Sequence, residues 1–181
     1  MTSGGPGGGG PGGGGPYVAV CGPGIAAPHE SAWAEEIGRR LAEAGAVVVC
    51  GGMSGVMDDV ARGAASAGGT VVGILPGPDR AGASPHLTVS IPTGMGETRN
   101  ALIARAADVV IAVAGEWGTL SEIALALKLG RPVVGLHTWE LSKDSRSVEG
   151  IERAATPEEA VARALDLVRP RSPGRRLPAQ D

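Results

Sequence analysis

The run TGMGETRNALIARAADVVIAVAGEWGTLSEIALALKLGRPVVGL, Thr93–Leu136, reads as helix, strand, glycine turn, helix, strand. Ala101–Ala107 has helical composition, and Asp108–Val113 is an apolar, mostly β-branched run of the kind that a strand covered on both faces requires. Gly115–Thr119 predicts a turn, Ser121–Leu129 an apolar helix stopped by Gly130, and Pro132–Leu136 a second buried strand. A turn between a buried strand and a helix leaves backbone N–H groups pointing over the helix start, where an anion is held best. Arg99 and Glu122 fall near the first turns of the two successive helices. If the strands feeding those helices are neighbours, both side chains converge on one crevice.

Composition agrees with a layered α/β chain. Its 181 residues suffice for one domain with a sizeable core. Hydrophobic residues make up 43%, aromatics only 2%, and Phe is absent, so Val, Ile, Leu and Ala must build that core. Such a composition suits a parallel sheet under Ala-rich helices. A net charge of −3 supplies no basic field to draw nucleic acid. No apolar run reaches the roughly 20 residues of a membrane-spanning helix, and the start lacks the pattern of a signal peptide. Cys21 and Cys50 lie at the ends of predicted strands without metal-ligand spacing, so they read as small apolar thiols and no metal or cofactor is expected. The expectation is a cytoplasmic protein that takes a small molecule and engages neither nucleic acid nor membrane.

Residues 1–16 are a Gly/Pro-rich tract that cannot bury apolar surface and predict a disordered tail. The strand Tyr17–Cys21 follows, then Gly22-Pro23-Gly24-Ile25-Ala26-Ala27, which has dinucleotide-fingerprint spacing. Pro23 and Pro28 interrupt it, and the next strand, Ala46–Cys50, ends in Gly51-Gly52 where an NAD site places a ribose-binding acid. Gly22 and Gly24 read either as lining a nucleotide crevice or as a tight turn alone. The second glycine turn, Gly51 to Gly55 with Gly52, also sits at a strand end, where such sheets bind ligands. Glu30–Ala44 and Val56–Ala67 predict helices, Thr70–Leu75 and Leu87–Ile91 strands. After Leu136, Thr138–Ala155 is polar and irregular, a helix runs from Thr156 to about Val168, and residues 170–181 predict a second disordered tail. His29 and His86 read as solvated loop histidines, and Trp33 as core or dimer surface.

Thr119 to Glu122 has the spacing of a helix-capping box, as does Thr156 to Glu159, where Pro157 suits the first helical position. By spacing alone Glu122 is a cap. Its place after a glycine turn at the end of an apolar strand, one strand from a cationic partner, gives the alternative of a catalytic carboxylate. Arg99 is either an exposed partner of Glu97 or Asp58, contributing about 0–1 kcal/mol, or a phosphate-binding fork inside the crevice.

GMGETRN followed by DVVIAV, AGEWGTLSE and IALALKLGRPVVGL resembles the Lonely-guy family, with its R-K pair and P-G-G-x-G-T-x-x-E loop. The similarity is greatest to a bacterial branch that also resembles molybdenum-cofactor carrier proteins, and it spans Tyr17 to Leu136. It implies a Rossmann-like fold, a doubly wound parallel sheet of about six or seven strands with helices on both faces, in one domain over residues 17–169. It also implies a homodimer or higher homo-oligomer. The family's activity is phosphoribohydrolase, releasing the base and ribose 5-phosphate from AMP or a cytokinin nucleotide. The resemblance makes Arg99 and Glu122 the catalytic pair, Gly115, Gly118 and Thr119 the phosphate loop, and Met95 a substrate-lining residue. Three positions depart from the pattern. Glu116 puts a carboxylate beside the phosphate, Trp117 adds a ring, and Asn100 stands where a lysine is usual. Hydrolysis of a nucleotide N-glycosidic bond by Glu122 and Arg99 is the leading expectation; the three departures favour the alternative of a non-catalytic carrier of a nucleotide or pterin phosphate in the same crevice, and a structural dimer with a vestigial site is the third option. The older decarboxylase label of the family gains nothing here, because Lys128 and Lys143 sit at no strand mouth.

Overall fold

A computed structural model describes residues 14–168; the expected tails, residues 1–16 and 170–181, lie outside that range except for Gly14–Pro16. In chain order the elements are β1 (Tyr17–Cys21), α1 (Pro28–Glu43), β2 (Val47–Cys50), α2 (Val56–Ser66), β3 (Thr70–Leu75), β4 (Val89–Pro92), α3 (Asn100–Ala106), β5 (Val109–Val113), α4 (Trp117–Lys128), β6 (Val133–Leu136), β7 (Ser142–Lys143), β8 (Arg146–Ser147), β9 (Ile151–Ala154) and α5 (Pro157–Val168). Seven strands pair in the order β4-β3-β2-β1-β5-β6-β9. Every neighbouring pair is parallel. The chain winds outward from β1 in one direction and from β5 in the other, so the topological switch falls between these two central strands.

The period-two alternation of buried strands sorts the core into two layers. Val18, Val20, Ile111 and Val113 pack with α1, α2 and α5, whereas Ala19, Cys21, Val110 and Ala112 pack with α3 and α4. Helices α1 and α2 approach at glycines: a Cβ on Gly38 would strike the Val60 carbonyl and one on Gly63 the Glu35 carbonyl. At the opposite end of the sheet from the switch-point crevice, Asp108 fastens β1 to β5. It accepts the Tyr17 N–H on Oδ2 (2.9 Å), while its own N–H donates to the Tyr17 carbonyl (2.8 Å).

Two expectations need correction. The stretch 138–155 is not irregular throughout: it holds the β7–β8 hairpin and the seventh sheet strand, β9. Only Ala154 of β9 is buried, so an edge strand with Glu152 and Arg153 outward shows no apolar run. Helix α4 begins at Trp117, two residues ahead of the expected N-cap Thr119. The turn is completed earlier, by Ala114 at φ 47° and Gly115 at φ 135°. By contrast Thr156 caps α5, accepting the Glu159 N–H at 3.2 Å, and Glu159 reaches back to the Ala155 N–H at 2.8 Å.

Candidate functional site

Because α4 starts at Trp117, Thr119 is its third residue and Glu122 its sixth. The first helical hydrogen bond runs from Leu120 N–H to Glu116 O (3.0 Å). The Trp117, Gly118 and Thr119 amides therefore precede the helical ladder and carry the positive end of its dipole. One and a half turns in, Glu122 faces the sheet and cannot cap anything. It is 7% exposed.

Arg99 comes from the other side of the switch point. It ends a 3-10 turn, Gly96–Arg99, that leads into α3, and it is 9% exposed. Its Nη1 lies 3.6 Å from Glu122 Oε1 and donates to Asn100 Oδ1. Nη2 approaches Met57 Sδ at 4.0 Å, and Nε has no partner. Gly51 makes room for the guanidinium, since a Cβ there would collide with Nη2. Asn100 Nδ2 donates to Ser121 Oγ (3.0 Å), which donates to the Gly118 carbonyl (2.7 Å). A chain of side chains thus links Arg99 to the opening turn of α4.

Burial outweighs attraction at both ends of the ion pair. It pushes the Glu122 carboxyl from 4.5 up to about 7 although Arg99 pulls it down, and it lowers Arg99 although Glu122 pulls it up. Neither charge is fully compensated by the protein, as expected for an ion pair short of hydrogen bonds in low dielectric. The Cys21 thiol beside Glu122 is raised well above its usual range, by burial first and then by the carboxylate. A pocket of about 250 Å³ opens on the group, lined by Cys21, Gly22, Gly24, Met57, Glu97, Arg99, Asn100, Glu116, Gly118, Thr119 and Glu122. In its wall Thr119 Oγ1, on a residue 2% exposed, is a second buried polar atom without a partner.

The sequence model of the SLOG cluster4 family, a LOG-like family, matches residues 15–161. The chain belongs to the SLOG cluster4 family. A 42% identical relative over 128 residues, an uncharacterized protein of Archaeoglobus fulgidus, aligns with 71% of this chain and 80% of its own. Among solved structures, the molybdenum cofactor binding protein of Rippkaea orientalis is similar at 33% identity and a TM-score of 0.78, over 85% of this chain and 98% of that one. The Moco carrier protein of Chlamydomonas reinhardtii is similar at 36% identity and a TM-score of 0.76, again over 85% and 98%.

In this SLOG cluster4 protein the crevice gathers Gly22, Gly24, Arg99, Asn100, Glu116, Gly118, Thr119 and Glu122 of the expected residues. Gly115 lines an adjoining cavity. Gly52, Met95 and Trp117 do not line the pocket. Gly52 packs instead against Leu75 and Leu87, Met95 is 43% exposed, and Trp117 is 77% exposed with its ring 5.3 Å from Trp139. Sequence reading missed Cys21, Met57 and Glu97. Cys21 was legible in principle, as the last residue of the strand that delivers Gly22. Met57 had no signal, because its contact with Arg99 depends on how α2 packs.

Proposed function

We propose that this protein binds a phosphorylated, ring-bearing small molecule in the crevice between β1 and β5, as a carrier of molybdenum cofactor or a related pterin phosphate. One observation carries the reading: two buried polar atoms on residues that line the pocket have no partner among the described residues, beside the free amides that open α4. Arg99 Nε and Thr119 Oγ1 are buried and unpartnered, and the first α4 amides lead into the same pocket. Such groups are costly unless an anion completes them. The likeness to the two cofactor-binding proteins supports the choice of ligand. Asn100 supports binding over turnover, since it adds no second cation and is held between Arg99 and Ser121.

The second reading, hydrolysis of a nucleoside 5′-monophosphate, is favoured by Glu122. A carboxyl brought to about 7 and set 3.6 Å from a guanidinium suits a group that stabilises a developing sugar cation or orients water. A paired experiment separates the two. Molybdenum cofactor released from a holoenzyme should stay with the wild-type protein through gel filtration and be lost by Arg99→Ala. Incubation with AMP should release no adenine. Adenine release that Glu122→Gln abolishes, without cofactor retention, overturns the carrier in favour of the hydrolase.

A further inference from the structure

Beyond β5, at the C-terminal ends of β6 and β9, lies a cavity of about 160 Å³ that shares no lining residue with the Arg99 pocket. Gly135 makes the space. In the parallel register Gly135 stands beside Arg153, and Ile151, two residues before Arg153, points to the same face. The missing side chain leaves a hollow over which Thr138 folds. A Cβ on Gly135 would meet Thr138 Cγ2 at 2.6 Å and Ile151 Cγ2 at 3.0 Å.

The loop after β6 forms the rest of the wall. His137 takes a left-handed φ of 50°, which a non-glycine residue keeps only where its surroundings enforce it, and its ring stacks on Trp33 at 4.8 Å. Trp139 donates its indole N–H to the Glu116 carbonyl (3.3 Å), so what it offers the cavity is apolar ring. Thr138 Oγ1 is buried and has no partner among the described residues. Arg153 Nη1 meets Glu140 Oε1 at 2.7 Å. Their side chains are 68% and 71% exposed, and an ion pair so exposed is weak enough for a ligand to open.

Charge selects the occupant. An anion drawn to Arg153 must also face Glu140, and a cation drawn to Glu140 must also face Arg153. A molecule that carries both signs a few bonds apart satisfies the two together. The cavity is too small for a nucleotide, and Ile151 with the Trp139 ring suits a short aliphatic group. We propose that this cavity binds a small α-amino acid. The carboxylate of the ligand pairs with Arg153 and accepts the Thr138 hydroxyl, its ammonium pairs with Glu140, and its side chain packs on Ile151 and Trp139. This site is independent of the ligand proposed for the crevice.

Calorimetric titration with glycine, L-alanine, L-valine, isovalerate and isobutylamine tests it; the last two are valine without its ammonium and valine without its carboxylate. The wild-type protein should bind L-valine about tenfold or more tighter than either fragment. Arg153→Gln and Glu140→Gln, both surface changes, should each weaken L-valine to the level of the fragments. Thr138→Val, which keeps the shape and removes the hydroxyl, should weaken it several-fold. No binding of any of the three amino acids overturns the site. Isovalerate bound as tightly as valine makes this an anion site, isobutylamine bound as tightly makes it a cation site, and either overturns the amino acid. Unchanged L-valine affinity in either glutamine variant overturns the pairing, and unchanged affinity in Thr138→Val overturns the part given to the hydroxyl.

Discussion

Glu122 sets burial against charge, and the sign of the balance is measurable. Its folded pKa, about 7, lies above its ordinary 4.5, so the folded state holds the extra proton between those values. Stability from this group is therefore fully present below about pH 4.5 and is lost as pH rises through 7. The shift amounts to roughly 3 kcal/mol. Urea midpoints of the wild-type protein should fall across that window relative to those of Glu122→Gln, which lacks the titrating group; parallel profiles would refute the assignment. Arg99→Met should be more severe, because it strands a buried carboxylate without its cation. At pH 8 it should cost about 3–5 kcal/mol, and clearly less at pH 5, where the carboxyl carries its own proton. A loss equal at both pH values would mean that packing, not charge, is what Arg99 contributes.

At the scale of elements, the contact between α1 and α2 makes the most exacting demand. Gly→Ala inside a helix ordinarily gains about 0.5–1 kcal/mol in propensity. Here the added methyl group of Gly63→Ala or Gly38→Ala meets a backbone carbonyl of the partner helix, which cannot rotate aside. Overpacking of this kind costs about 1–3 kcal/mol, so the net change should be destabilising. Chemical denaturation of either variant checks it, and a higher midpoint would contradict the close approach. The elements also show what the sequence could and could not reveal. β1, β2, β3, β5 and β6 are legible as apolar runs because both their faces are covered. β9 is not, because an edge strand with one buried residue has no run to see. The start of α4 is masked by coincidence: Thr119 and Glu122 have the spacing of a cap, while the backbone turn at Ala114 and Gly115 starts the helix earlier. That displacement turns Glu122 inward. Its pairing with Arg99 was legible as an expectation, since each stands near a helix start beside a central strand. Met57 was not, being a matter of tertiary packing.

Across the whole molecule, protection should follow position in the sheet. Hydrogen exchange should be slowest in β1 and β5, whose residues are buried almost throughout. It should be faster in β4, where Val89 and Ile91 are 45% and 44% exposed, and in β9. Uniform rates across the seven strands would argue against a centre built on the β1–β5 pair. That pair joins residues about 90 positions apart, such as Val20 beside Ile111. Cys21 and Gly22 arrive on one strand, Glu122 on the helix after the other, so a chain broken between them carries only fragments of a grip. A ligand of the proposed kind would have to wait for the central seam to close, and once held there it would act as a clasp, tightening the join between the two halves by mass action.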